Sequence, residues 1–159
     1  MSEAHLLFTC EIAAAPEAVF DLVADLPHYG RWLPHSSAFG GTVDVTPYPV
    51  RLGTTYLDAG PIQKPGKVTE FDPPRHIAFQ HTVMIRNPIS TDVEARIRYT
   101  FEPRGGRTVV MRELHLGIEL RGLQRLLRPA LVRGFRKENL RTLACLGRYL
   151  ENPPSGSTR

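Results

Sequence analysis

Hydrophobic and polar positions alternate from the start of the chain. Between His5 and Ala13, the residues Leu6, Phe8, Cys10 and Ile12 fall on one face and His5, Thr9 and Glu11 on the other, with Leu7 the exception. A period of two predicts a half-buried β-strand. The period then changes. Pro16 stands where a first helical turn tolerates it, with Glu17 beside it at the positive end of the helix dipole. Val19, Phe20, Leu22, Val23 and Leu26 form the apolar side of a short helix. Asp25 is placed to cap a second short turn that has Pro27 near its start, and Trp32, Leu33 and Pro34 close it. A strand followed by two short helices in a V predicts a plug for the end of a curved sheet.

From Pro34 onward the pattern is β. Strand-like runs cover Phe39 to Thr46, Arg51 to Ala59 and Lys67 to Phe71. The stretch FDPPRH is a tight turn, because two prolines cannot sit inside a central ladder. Ile77, Phe79, His81, Val83 and Ile85 share a face of the next strand, and RNPIS (86–90) is a loop. The clearest alternation is Thr91 to Phe101, with Val93, Ala95, Ile97, Tyr99 and Phe101 on one side and charged or polar residues on the other. One wet face means an antiparallel sheet. EPRGGRT turns the chain into a last strand ending at Leu120, in which either Arg112 or the pair Met111 and Glu113 faces inward. A long helix is expected from Gly122 to about Leu150, with Pro129 a kink or the true start, and then a frayed tail, NPPSGSTR. The elements predict an α+β domain over residues 1–152, with 153–159 as a disordered tail. Six or so one-sided strands and a single long helix to cover them imply a curved sheet wrapped around that helix. Side chains alone would leave a cavity between them.

Composition narrows the class. The 159 residues are 42% hydrophobic and 23% charged. They contain no apolar run long enough to span a bilayer and no secretory leader pattern. Two isolated cysteines, Cys10 and Cys145, stand among apolar neighbours and read as reduced, buried thiols in a cytoplasmic protein. The formal charge is +4. Basic residues gather late in the chain: Arg121, Arg125, Arg128, Arg133, Arg136, Lys137 and Arg141. They alternate with Leu123, Leu126, Leu127, Leu131, Phe135, Leu140 and Leu143, which are read as core-facing. The solvated face of an amphipathic helix is the better reading than a nucleic-acid surface, because stacking aromatics are absent nearby. No zinc spacing, nucleophile motif or phosphate loop occurs, so neither metal nor cofactor is expected.

The stretches IAAAPEAVFDLVADLPHYGRWLP, GKVTEFDPPRHIAFQ and ENLRTLACLGRYLEN together make the chain resemble the polyketide cyclase/dehydrase and lipid-transport group of the START-like, Bet v 1-like superfamily. The resemblance covers almost the whole length. It implies a helix-grip fold, a seven-stranded antiparallel sheet around a C-terminal helix, with an apolar cavity. It also implies a small hydrophobic ligand: lipid, polyketide or aromatic. Pro16, Phe20, Trp32, Asp72, Pro73 and Pro74 belong to the scaffold under this reading.

The residues expected to meet a ligand are Trp32, Tyr56, Phe79, His81, Ile97, Tyr99, Arg112, Leu127, Leu131 and Phe135. His81 and Tyr99 are polar-tipped members of otherwise apolar faces, and Tyr56 shares its face with Asp58. Binding or transport is the first reading. A cyclase or dehydratase is the alternative, with His81 as general base and Tyr99 or Arg112 stabilising an enolate. A cochaperone-like module is the third, and would need a broad exposed apolar patch. The expected partner is a small molecule, without nucleic acid or stable membrane insertion, on a monomer or weak homodimer.

Overall fold

A computed structural model describes residues 2–152. In chain order the elements are β1 (Ser2–Ile12), α1 (Pro16–Ala24), a 3-10 turn (Leu26–Arg31), β2 (Thr42–Thr46), β3 (Thr55–Asp58), β4 (Lys64–Asp72), β5 (His76–Ile85), β6 (Thr91–Arg104), β7 (Arg107–Ile118), a second 3-10 turn (Gly122–Leu127) and α2 (Arg128–Glu151). The strands form a single antiparallel sheet in the order β1-β7-β6-β5-β4-β3-β2. This is the helix-grip arrangement: α2 lies against the sheet, and α1 with the first 3-10 turn fills one end. The anticipated tail, 153–159, lies outside the described residues.

The alternating strands fold as their pattern dictates. Leu6, Phe8 and Ile12 of β1 are buried and Cys10 is half-buried, while Leu7 faces out. Along β6, residues Val93, Ala95, Ile97, Tyr99 and Phe101 are all buried. In β7 the inward set is Thr108, Val110, Arg112, Leu114, Leu116 and Ile118, and the pairing with β1 and β6 runs without a bulge. Arg112 therefore points inward, and Met111 and Glu113 do not. Both cysteines are free thiols, Cys145 buried and Cys10 half-buried.

Strand ends shift where glycine and serine intervene. The run expected from Phe39 begins at Thr42, because Ser36 Oγ accepts the N–H groups of Ala38 and Phe39 and holds them in a loop. Gly40 and Gly60 then cross so closely that a Cβ on either would overlap the other's backbone. Asp25 does not cap the first 3-10 turn through its side chain; that carboxylate instead accepts from His28 Nδ1 and from Tyr48 Oη, each at 3.0 Å.

The plug end is apolar and aromatic. Phe20 of α1 meets Phe71 and Phe101 edge-on, with ring centroids 5.4 and 5.9 Å apart. Trp32 is buried beside Tyr29, their ring centroids 4.9 Å apart, and its Nε1 has no acceptor among the described residues.

Helix α2 is anchored at both ends. Arg128 donates to Ser2 Oγ (2.6 Å) and to the Glu3 carbonyl (2.8 Å), and Glu151 accepts from the Ala13 N–H at 2.9 Å. Pro129 lies in its first turn, so it marks the true start of the helix rather than a kink. The buried residues of α2 (Asn139, Thr142, Leu143, Cys145, Leu146) all lie from its middle onward. Its first half stands off the sheet, and the cavity opens beneath it.

The expected inward leucines need correction here. Leu123 and Leu126 are 84% and 77% exposed, and Leu140 is also exposed. The first two belong to the 3-10 turn, where residues three apart eclipse one another, so both share the outer side. Leu140 is one position off the stripe formed by Asn139, Thr142, Leu143 and Leu146.

Candidate functional site

A cavity of about 770 Å³ lies between the inner face of the sheet and the first half of α2. This is the size of a small-ligand site. Nine of the ten residues singled out from the sequence line it: Tyr56, Phe79, His81, Ile97, Tyr99, Arg112, Leu127, Leu131 and Phe135. The tenth, Trp32, does not line it and packs in the plug instead. Leu127 stands at the rim, partly exposed. The other exposed lining residues are Ala130, Gly134 and Lys137 of α2, Asn87 and Pro88 of the loop between β5 and β6, and Ser37. The cavity therefore meets the surface along the first half of α2, both at that loop and beside Ser37. The segment 36–39 forms another wall, held by Ser36 Oγ donating to Glu138 Oε1 (3.1 Å) and by Arg141 donating to the Pro34 carbonyl (3.0 Å).

Two polar clusters break the apolar lining. In the first, Tyr56, Gly66 and His81 stand at one level of three adjacent strands. Gly66 has no side chain, and a Cβ there would overlap the Tyr56 ring. The ring therefore lies across Gly66, and Tyr56 Oη meets His81 Nδ1 at 3.1 Å. Burial, and after it the positive charges of Lys64 and Arg112, push the His81 pKa down to about 3, so the imidazole is neutral. Burial likewise raises the Tyr56 phenol well above its ordinary value.

The second cluster surrounds Arg112, which is 8% exposed. Its Nε donates to Asn139 Oδ1 at 2.6 Å and a terminal nitrogen donates to Tyr99 Oη. The guanidinium carbon also sits 4.8 Å from the Tyr99 ring centroid. Asn139 in turn donates to the Phe135 carbonyl at 2.7 Å. Near these groups, Asp58 accepts from Thr42 Oγ1 (2.6 Å), and burial raises its pKa. Lys64 donates to the Ala38 carbonyl, and burial lowers its pKa. Asn139 and Lys64 escaped the sequence reading because both look like solvated polar residues. The phase of Asn139 with Thr142, Leu143 and Leu146 on α2 is the one signal that marks it as inward.

The two clusters stand at different levels of the sheet. Ile77, not His81, is at the cross-strand level of Tyr99 and Arg112, and His81 is opposite Ala95. Outside the cavity, His5, Glu113 and His115 bring possible metal-ligand atoms within 4.8 Å of one another on the wet face of the sheet. The two imidazoles are stacked with centroids 4.2 Å apart and planes 13° from parallel. Their in-plane lone pairs run side by side and do not converge on an ion.

Comparison with known proteins agrees with this architecture. Residues 4–151 match the family described as polyketide cyclase/dehydrase and lipid transport. The chain belongs to that family. No curated protein matches it. Among solved structures, the di-domain ARO/CYC BexL from the BE-7585A biosynthetic pathway is similar, with 16% identity and a TM-score of 0.72 over 96% of this chain and 51% of BexL. Protein MLL2253 from Mesorhizobium loti is similar over 95% of this chain and 99% of that one, with 14% identity and a TM-score of 0.68. The Aha1 dimer from Colwellia psychrerythraea covers 94% of this chain and 97% of its own, with 16% identity and a TM-score of 0.62. At these identities the likeness is one of fold. No helix among the described residues is long and apolar enough to cross a membrane.

Proposed function

We propose that this protein binds and carries a small hydrophobic molecule in the cavity beneath α2. The observation that carries the reading is the cavity itself: about 770 Å³, with Phe79, Ile97, Leu131, Phe135 and similar residues forming its apolar wall and two buried polar clusters within it. The family supports a ligand of lipid, polyketide or flat aromatic type. The protein acts in the cytoplasm as a monomer or weak homodimer, without cofactor, metal or nucleic acid.

A cyclase or dehydratase would use the same cavity, and BexL is similar in fold. The carrier reading is better supported. A base whose conjugate acid has a pKa near 3 takes up a proton poorly at neutral pH, and His81 is such a group. It is also bonded to Tyr56 rather than facing the Arg112 level. A cochaperone-like role finds less support, because the exposed Leu123, Leu126 and Leu127 are confined to a single turn.

The test is saturable binding of an environment-sensitive apolar dye to the native protein, competed by dodecanoic acid, dodecanol or flat aromatics. Dye binding that appears only after heating or acidification would show that no preformed cavity exists.

A further inference from the structure

Arg112 is a buried cation with no hydrogen-bonded anion among the described residues. It is the most deeply buried charged residue among the described residues. Its two hydrogen bonds go to the neutral oxygens of Asn139 and Tyr99, and no carboxylate lies within ion-pair distance of it. A guanidinium has five N–H donors, so three have no acceptor among the described residues, and the residue lines the cavity. Burying such a charge is costly unless a counter-ion compensates it.

The two acidic groups lining the cavity do not supply that counter-ion. Glu138 is bound to Arg141 at 2.7 Å and accepts from Ser36. Asp58 accepts a hydrogen bond from Thr42 and makes no ion pair within 4 Å among the described residues; burial raises its pKa, and Lys64, Thr42 and Arg112 act against that rise. Lys64, also lining the cavity, makes no ion pair within 4 Å and donates only to a carbonyl. Four basic side chains (Lys64, Arg112, Lys137, Arg141) and two carboxyl groups (Asp58, Glu138) line the cavity, so its polar part is cationic on balance. Arg112 remains protonated near neutrality, its pKa lowered by burial only to about 10.

We propose that the ligand is a carboxylic acid: an apolar body, aliphatic or aromatic, whose carboxylate docks on the free edge of the Arg112 guanidinium. This rests on the carrier reading and specifies its ligand class. A planar guanidinium matches a carboxylate with two parallel hydrogen bonds, which a neutral oxygen cannot reproduce. Asn139 and Tyr99 fix the fork from behind, so the unused N–H groups are already oriented when the acid arrives. The body of the ligand then lies against Phe79, Ile97 and Phe135.

The experiment compares matched trios by calorimetry at neutral pH: dodecanoic acid, dodecanol and methyl dodecanoate, then 2-naphthoic acid, 2-naphthalenemethanol and methyl 2-naphthoate. In at least one trio the acid is expected to bind about 10–100-fold tighter than its alcohol and ester, the worth of a charge-assisted pair in a dry site. In Arg112→Gln, with folding checked by circular dichroism and melting, that ratio falls toward one; Arg112→Lys keeps only part of it. Should Arg112→Gln fail to fold, the wild-type ratio and Arg112→Lys still decide. If acid, alcohol and ester bind the wild type equally well, the carrier reading stands and the acid assignment is wrong. A high ratio that survives intact in folded Arg112→Gln also refutes it, because the carboxylate then sits elsewhere. If no member of either trio binds, the carrier reading fails and this inference fails with it.

Discussion

Replacing His81 by Phe should change stability by an amount that depends on pH, and the dependence follows from the cavity wall. His81 is buried and shares a 3.1 Å hydrogen bond with Tyr56 Oη. Phe keeps a flat ring of similar size but leaves that buried hydroxyl without its partner. The cost is about 1–3 kcal/mol, or a fall in Tm of very roughly 2–4 °C per kcal/mol for a chain of this size. At acid pH a second effect opposes the first. In the unfolded chain the imidazole takes a proton below its ordinary 6.5, whereas the folded protein holds it neutral down to about 3. Between those values the unfolded state binds more protons, so wild-type stability falls as pH falls, by about 1.4 kcal/mol per unit. At about pH 5 the accumulated loss is ~2 kcal/mol, and His81→Phe does not share it. The variant should therefore be less stable than wild type near pH 7.5, and should come to within about 1 kcal/mol of it, on either side, near pH 5. Carboxyl groups such as Asp58 titrate in both proteins and cancel in the difference. Urea melts of the two proteins at both pH values measure the gap directly. The double variant Tyr56→Phe/His81→Phe should recover much of the neutral-pH loss, since both polar partners are then gone. A gap unchanged between the two pH values would refute the burial of a neutral His81 against Tyr56.

Three further outcomes are expected. Gly66→Ala forces the Tyr56 ring off its seat, so it should cost about 1–3 kcal/mol in urea melts and weaken dye binding; an unchanged protein would mean that the ring does not lie across Gly66. Leu126→Ser should alter stability by no more than about 0.5 kcal/mol, since its side chain is in water, and a large loss would place that turn inside the fold. Gel-shift titrations should show only weak, sequence-independent DNA or RNA binding that vanishes steeply with salt; a tight, sequence-selective complex at physiological salt would show that the basic face of α2 is a reader.

The periodic parts of the chain determined themselves. Strand alternation in β1, β5 and β6 placed Phe79, His81, Ile97 and Tyr99 on one inner face, because a period of two leaves each residue a single side. The proline at the head of α2, the V of short helices and the FDPPRH turn are equally local, set by φ restriction and missing N–H groups. Other features needed partners distant in sequence. The strand-like run expected from Lys67 extends back to Lys64, where Pro65 pairs with Leu57 and Gly66 with Tyr56 of β3. Only that pairing shows why the glycine is there: it gives a tyrosine room to reach the next strand. The inward register of β7 was open between Arg112 and its neighbours until β1 and β6 closed on both sides of it. Leu123 and Leu126 carry the composition of a core face, and a 3-10 turn rather than an α-helix put them in water. Asn139 and Lys64 are polar letters that any local reading assigns to solvent. Their burial around Arg112 is decided by where α2 and the 36–39 segment dock, contacts between residues dozens of positions apart that no periodicity encodes.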